Sequence, residues 1–252
     1  MRKCEVNQVK MSKKFRSNLI TYAMVIIAFI ICQIAIDGKI IDGFKMSRSL
    51  KGQLVPICVY IVMAVSLNLT VGISGELSLG HAGFMSVGAF SGVITAMSLQ
   101  SVIPNNGVRL LIAIVVGAAF AAVAGLIVGI PVLRLRGDYL AIVTLAFGEI
   151  IKDIMNCLVV GVDKKGLHIA LNISGQVTVD SLNLDPATGI AIIKGAQGAT
   201  GTTKIATFTA GVLLVTVTLI VVLNLIRSRA GRAILAIRDN RIAAESIGVN
   251  VT

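Results

Sequence analysis

Three ionisable residues, Glu149, Lys152 and Asp153, interrupt an otherwise apolar run of the chain. Charged side chains inside a membrane segment are costly, and they normally pair with one another or face a water-filled cavity. Two roles are therefore open for this group. The short spacing favours a local ion pair with Lys152, and the alternative is that the group lines a substrate pathway.

Other polar residues stand in or beside apolar runs. For His81, a hydrogen-bonded structural role is favoured over a proton relay, because the sequence places no second carboxylate beside it. Asn68 is expected first to hydrogen-bond to a neighbouring helix and second to line a pathway. The candidates for pathway residues are Ser78, Gly80, His81, Asn68, Thr144 and Glu149.

Motifs of catalysis and nucleotide binding are absent from the sequence. It contains no G-x-x-x-x-G-K-[ST], HExxH or GxSxG, and no paired His/Cys cluster. The four cysteines are scattered and are expected to be buried small hydrophobic residues, not metal ligands or disulfides. We therefore expect a non-enzymatic chain with no catalytic residue, no metal site and no bound cofactor. Any ATPase that drives it must be another polypeptide.

The composition excludes a disordered chain and fits poorly with a soluble globular domain, because 56% of the residues are hydrophobic and 14% are charged. The net charge of +11 does not indicate nucleic-acid binding. The basic residues are mostly in the N-terminal tail, the loops and the final segment, and with 4% aromatic residues and no Trp there is no platform for base stacking.

Six apolar runs are long enough to cross a bilayer, which predicts an all-α, polytopic membrane helix bundle. They are 19–36, 54–73, 77–97, 110–133, 139–160 and 205–226. An even number places both termini on one side, which carries 13 basic residues against nine on the other. The positive-inside bias then makes the N-terminus cytoplasmic, and the first run is expected to be a retained span.

The predicted organisation has three parts: a basic cytoplasmic tail (1–18), a transmembrane domain (19–226) and a cytoplasmic segment (227–252). An outer loop is expected at about 161–204, with a short hairpin in 173–184. The third run is rich in glycine, which predicts a broken or re-entrant segment at the centre of the bundle. The fourth run carries a helix-packing stripe of small residues, Gly117, Ala121, Gly125 and Gly129.

Five arginines lie between Arg227 and Arg241, with small and aliphatic residues between them at helical spacing. This pattern predicts an amphipathic helix pair at the inner membrane face, suited to docking a soluble partner. A stop-transfer flank followed by a solvated loop is the alternative, since basic flanks are common.

Three stretches together resemble the LivM-type permease of branched-chain amino acid ABC importers. They are 74–84 (SGELSLGHAGF), 133–151 (LRLRGDYLAIVTLAFGEII) and 231–240 (GRAILAIRDN). The resemblance implies a permease subunit in the cell (inner) membrane that pairs with a LivH-type permease. Two cytoplasmic ATPase subunits, which bind ATP and Mg, and an external substrate-binding protein would complete the importer.

The resemblance also implies that the basic end docks in a groove of the ATPase. Gly248 and a small-residue face formed by Ala243 and Ala244 suit a close fit, while arginines pair with acidic groups at the rim. Because family members continue with further spans, the chain is expected to be truncated. The coupling residues carried over are Arg229, Arg232, Arg238, Asp239, Arg241, Ala243, Ala244, Glu245 and Gly248.

Three other functions compete with a branched-chain amino acid importer. Permeases of urea and short-amide importers look alike. An ion-coupled secondary carrier would need Glu149, Asp153 or His81 to titrate during transport. A non-transporting membrane scaffold is the third.

Overall fold

Eight helices and one small sheet are present in the computed structural model, which describes residues 20–34, 36, 47–100, 102–132, 135, 137–163, 166–171 and 189–249. The helix Arg48–Asn68 continues into a π-helical turn, Leu69–Ser74. The helices are α1 (Ile20–Ile34), α2 (Arg48–Asn68), α3 (His81–Ser98), α4 (Asn106–Val132), α5 (Asp138–Cys157), α6 (Phe208–Arg227), α7 (Arg229–Asp239) and α8 (Arg241–Ser246). The strands are β1 (Leu158–Asp163), β2 (Gly166–Leu171) and β3 (Ile190–Lys194).

The predicted helical fold class is confirmed, and each of the six predicted segments contains one α-helix. Among the described residues, three helices are long and apolar enough to cross a membrane: Ser49–Ser74, Asn106–Val132 and Phe208–Arg227. The count of six spans stays a prediction, because α1 is shorter and α3 and α5 carry more polar residues.

The connection after α5 differs from the prediction of a fifth segment reaching residue 160. Helix α5 ends at Cys157, and Leu158–Asp163 form the central strand of a sheet of order β2-β1-β3. Both neighbours pair antiparallel with β1. The β-branched Val159 and Val160 favour a strand and are buried in it. The hairpin predicted in 173–184 lies outside the described residues.

The chain divides into two compact units, Met1–Leu69 with Ala206–Thr252, and Thr70–Ile205. In the first unit, α2 packs along α6, where a Cβ at Gly211 would lie 3.0 Å from Cys58 Cβ. The ring of Phe29 stacks on Phe208 at a centroid distance of 5.6 Å.

In the second unit, α3 packs against both α4 and α5. One apolar cluster joins the end of α3 to the sheet and contains Met97, Val160, Ile192 and Ile193. The other joins the end of α4 to the start of α5 through Val128, Val132 and Leu140.

The stripe of small residues on α4 packs over half of its length. A Cβ at Gly88 of α3 would lie 3.4 Å from Ala121 Cβ and 3.4 Å from the Gly117 carbonyl oxygen. At Gly125 and Gly129 an added Cβ would meet nothing within 4 Å. The packing prediction is thus confirmed for the first two positions and wrong, within this chain, for the last two.

Arg109 stands one residue before the fourth apolar run, and in the structure it is helical. It belongs to the first turn of α4 and is 5% exposed. Its Nη2 donates to Asn106 Oδ1 at 3.1 Å. The side chain folds back over the first turn, so this arginine contributes to packing.

Candidate functional site

The glycine-rich segment is irregular only before α3. Residues 75–80 are not helical, Gly75 has φ 76°, and α3 is continuous from His81 onward. Thr144 of α5 stabilises the irregular backbone, because its Oγ1 accepts the Leu79 N–H at 3.1 Å. The same hydroxyl donates to the Ala141 carbonyl oxygen at 2.9 Å. Whether the segment is re-entrant in a membrane stays a prediction.

Two glycines bring this segment against the backbone of α5. A Cβ at Gly80 would lie 2.5 Å from the Thr144 carbonyl oxygen, and one at Gly83 would lie 3.1 Å from Gly148 Cα. Both approaches leave no room for a side chain without a shift of the neighbouring backbone. We call Gly80, Gly83, Thr144 and Gly148 the glycine joint.

The structure brings together some of the predicted pathway residues. Gly80 and Thr144 are in contact, Ser78 stands two residues before Gly80, and His81 follows it directly. His81 is half-buried at the first position of α3. Asn68 belongs to the other unit, where it is the exposed last residue of α2. Sequence reasoning missed the partners Gly83 and Gly148, although both stand in the motifs that carried the resemblance.

Glu149 is paired on the exposed side of α5. Lys152 Nζ lies 2.7 Å from Glu149 Oε2, at a spacing of three residues. The predicted local ion pair is therefore confirmed. Both side chains remain more than half exposed, so the pair does not fill the interior of the fold.

We predict that Thr144→Val weakens the glycine joint. Valine keeps the shape but removes the acceptor of the Leu79 N–H, and the part-buried hydrogen bond that is lost contributes about 0.5–1.5 kcal/mol. Hydrogen exchange of the Leu79 amide should accelerate by about 2- to 12-fold, the equivalent of that energy.

Thr144→Ser is the matched control, because it keeps the hydroxyl and removes only a methyl group. It should leave the exchange of Leu79 close to that of the parent. Equal protection in the valine and serine variants would show that the hydrogen bond does not hold the segment.

The basic end folds into two short helices that follow α6 almost without a break. Ser228 caps α7, its Oγ accepting the Gly231 N–H at 3.1 Å, and Asn240 caps α8, its Oδ1 accepting the Ala243 N–H at 3.1 Å. A capping side chain satisfies a backbone donor that the first helical turn leaves unpaired. The predicted helix pair is therefore present, and each helix has its own start signal.

The start of α7 is fixed against the last turn of α6. Gly231 is buried, and a Cβ there would collide with the carbonyl oxygens of Leu225 and Ile226. Arg232 Nη1 donates to the Arg227 carbonyl oxygen at 2.8 Å, which satisfies an acceptor that the end of α6 leaves open. We call α7 and α8 with this attachment the α7–α8 bracket.

Two aliphatic side chains are exposed at α8, among charged and polar ones. Ile242 is 82% exposed and Ile247 just beyond α8 is 76% exposed, whereas Ala244 is 2% exposed. Of the small-residue face predicted from Ala243 and Ala244, Ala243 is exposed and Ala244 lies on the inner side of this short helix, and docking through this face stays a prediction. Gly248 takes φ 81° and donates its N–H to the Glu245 carbonyl oxygen at 3.0 Å, which ends the segment.

The charged residues of the bracket pair with their own neighbours. Arg238 lies 2.9 Å from Asp239, and Arg241 lies 3.2 Å from Glu245. Both pairs are exposed, and such pairs contribute only about 0–1 kcal/mol. The two arginines can therefore exchange these partners for other carboxylates at little cost.

Known proteins similar to this chain are permeases. The LivM permease protein of the high-affinity branched-chain amino acid transport system of Salmonella typhimurium is 31% identical over 204 residues, which is 77% of this chain and 45% of that protein. Its counterpart in Escherichia coli is 32% identical over 213 residues, 76% of this chain and 44% of that protein. The chain thus spans less than half the length of these relatives. No solved structure matches it.

The family match covers both candidate sites. The family described as the permease component of branched-chain amino acid transport systems matches residues 49–252. That range includes the glycine joint, the Glu149–Lys152 pair and the α7–α8 bracket. The chain belongs to this family of membrane permease components.

Proposed function

We propose that this chain is the transmembrane permease subunit of an ATP-driven importer for the branched-chain amino acids leucine, isoleucine and valine. The family description and the names of the two relatives support the substrate class. The observation that carries the proposal is the α7–α8 bracket, which presents two exposed isoleucines among basic residues directly after an apolar helix.

The bracket has the features of a docking element for a soluble ATPase. Ile242 and Ile247 supply apolar anchors, and Arg238 and Arg241 supply cations at their edge. Apolar anchors surrounded by polar groups are the usual arrangement at protein interfaces. ATP binding and hydrolysis, with Mg, take place on the partner.

Force from the ATPase has a direct route to a membrane helix. Closure of the ATPase dimer pushes on α8, and the attachment of Gly231 and Arg232 passes the displacement to the end of α6. The resulting motion switches the bundle between outward-open and inward-open states. The glycine joint and the exposed side of α5 line the route in this mechanism.

The remaining parts of the importer are separate polypeptides. A second, LivH-type permease pairs with this chain, two ATPase subunits dock below, and an external binding protein delivers the substrate and sets selectivity. The complex lies in the inner membrane with the N-terminus of this chain in the cytoplasm.

Reversing the charge at Arg238 and Arg241 tests the coupling role. We expect the double change to glutamate to reduce ATPase association about tenfold or more, because two attractive contacts with an acidic rim become repulsive. The measurement is co-purification of the ATPase subunits with the full-length permease, together with ATP-dependent leucine uptake in proteoliposomes.

The matched control replaces both arginines by lysine, which keeps the charge. The arginines lie on the surface and their own pairs are weak, so neither change should unfold the chain. Association and uptake that survive the reversal would show that the bracket does not couple to the ATPase.

The same assay separates the alternative functions. Competition of leucine uptake by urea or short amides would identify the related importer class. Uptake that collapses with the proton gradient but persists without ATP would identify an ion-coupled carrier. The carrier would need a group such as Glu149 to titrate during transport, and the pairing of Glu149 with Lys152 does not support that role.

A further inference from the structure

One exposed face of α5 carries two aliphatic side chains and an ion pair. Ile142, Leu145, Glu149 and Lys152 recur at intervals of three and four residues, so they lie in one row along the helix. Ile142 is 62% and Leu145 is 48% exposed, and the side chains of Glu149 and Lys152 are 58% and 61% exposed. We call these four residues the α5 row.

The contacts that hold α5 in the fold come from other residues. Leu140, Ala141 and Thr144 are the buried positions of this helix, and Gly148 packs against Gly80. The α5 row is therefore available for a role other than packing within the second unit.

The depth of the ion pair determines what can cover it. Helix α5 has 20 residues, so it is about 30 Å long at about 1.5 Å per residue. Glu149 is about 16 Å from the first residue, which is close to the middle of the helix. If α5 spans the bilayer, an exposed ion pair at this depth cannot face lipid and must face water or polar groups.

The order of side chains along the row matches one class of small molecule. An α-amino acid at neutral pH carries an ammonium and a carboxylate on one carbon, and a branched-chain amino acid adds an aliphatic side chain. The carboxylate of Glu149 complements the ammonium, and the ammonium of Lys152 complements the carboxylate. Leu145 and Ile142, one and two turns earlier, complement the aliphatic side chain.

We propose that the α5 row is a binding site for a zwitterionic aliphatic amino acid on its way through the permease, an inference that rests on the proposed function. Glu149 and Lys152 hold the two charges of the substrate, and Ile142 and Leu145 contact its side chain. Because the ion pair is exposed, the substrate exchanges with it at low cost and binds weakly. Weak binding suits a site along a transport pathway, because tight binding would slow the release of the substrate.

Substrate protection of an introduced thiol tests the site in the assembled importer. The parent for this experiment is the importer in which the four cysteines of this chain are replaced by serine. Leu145→Cys then places one thiol in the α5 row. We expect a membrane-impermeant methanethiosulfonate to modify it, and leucine at ten times its Kd to slow the modification about tenfold.

Ile154→Cys is the matched control, because Ile154 is 50% exposed on α5 but lies outside the row. Its modification should not respond to leucine. If Leu145→Cys does not assemble with its partners, Ile142→Cys takes its place in the same measurement.

Two leucine analogues test the charge recognition. 4-Methylpentanoate lacks the ammonium and 3-methylbutylamine lacks the carboxylate. Protection by leucine but by neither analogue supports the proposal, and equal protection by all three overturns the zwitterion site. Absence of protection, in a parent that still takes up leucine with ATP, overturns the inference and leaves the proposed function standing. Failure of the importer with its native cysteines to take up leucine with ATP overturns the proposed function instead.

Discussion

Replacing Ile242 and Ile247 together by aspartate should weaken ATPase binding by about 10²- to 10⁴-fold. Burying a large aliphatic side chain contributes about 1.5–3 kcal/mol, so losing two such anchors costs about 3–6 kcal/mol of binding energy. Both side chains are more than three-quarters exposed in this chain, so the change removes no packing within it. The measurement is the Kd of the purified permease complex for its ATPase subunits.

Leucine at both positions is the control for this pair. It keeps the apolar surface and should bind the ATPase within about tenfold of the parent, since such swaps cost less than about 1.5 kcal/mol. Unchanged binding of the aspartate variant would place the docking surface elsewhere. Weak binding of the leucine variant would instead show that the interface depends on the shape of isoleucine.

Gly80→Ala should abolish most transport and lower the stability of the second unit. The new methyl group would lie 2.5 Å from the Thr144 carbonyl oxygen, and the neighbour is backbone that cannot rotate away. Overpacking of this kind costs about 1–3 kcal/mol and forces the two segments apart. Leucine uptake by the assembled importer and thermal unfolding in detergent measure the two effects.

Gly125→Ala provides the same chemical change in open space. An added Cβ there meets nothing within 4 Å, and alanine is favoured over glycine in a helix interior by about 1 kcal/mol. This variant should be at least as stable as the parent and should transport normally. A Gly80→Ala variant that behaves like Gly125→Ala would show that the close approach at the glycine joint is not required.

The helices could be predicted from the sequence, because an apolar run of about 20 residues has the length of a helix that crosses a bilayer. The sheet could not, since β1 and β3 are separated by 26 residues and their pairing depends on tertiary contact. The glycine-rich segment is recognisable as unusual from its composition. Its contacts with Thr144 and Gly148 could not be predicted. A glycine pattern indicates that another segment approaches closely, but it does not identify that segment.

The helix pair at the basic end could likewise be predicted only in part. Ser228 and Asn240 are good capping residues, so the starts of α7 and α8 could be predicted. Helix α8 has only 6 residues, too few for a hydrophobic period to distinguish its inner side from its outer side. For this reason the sequence did not separate the buried Ala244 from the exposed Ala243, and the exposed Ile242 was not singled out.

The links of the α7–α8 bracket are each one residue long. Ser228 alone separates α6 from α7, and Asn240 alone separates α7 from α8. By composition this polar, basic stretch resembles the surface loops in which insertions accumulate. Here a single inserted residue within α7 would turn everything after it by about 100°, carrying Ile242 and Ile247 away from any fixed partner. The stretch from Arg227 to Ile247 is therefore constrained in its length as well as in its exposed residues.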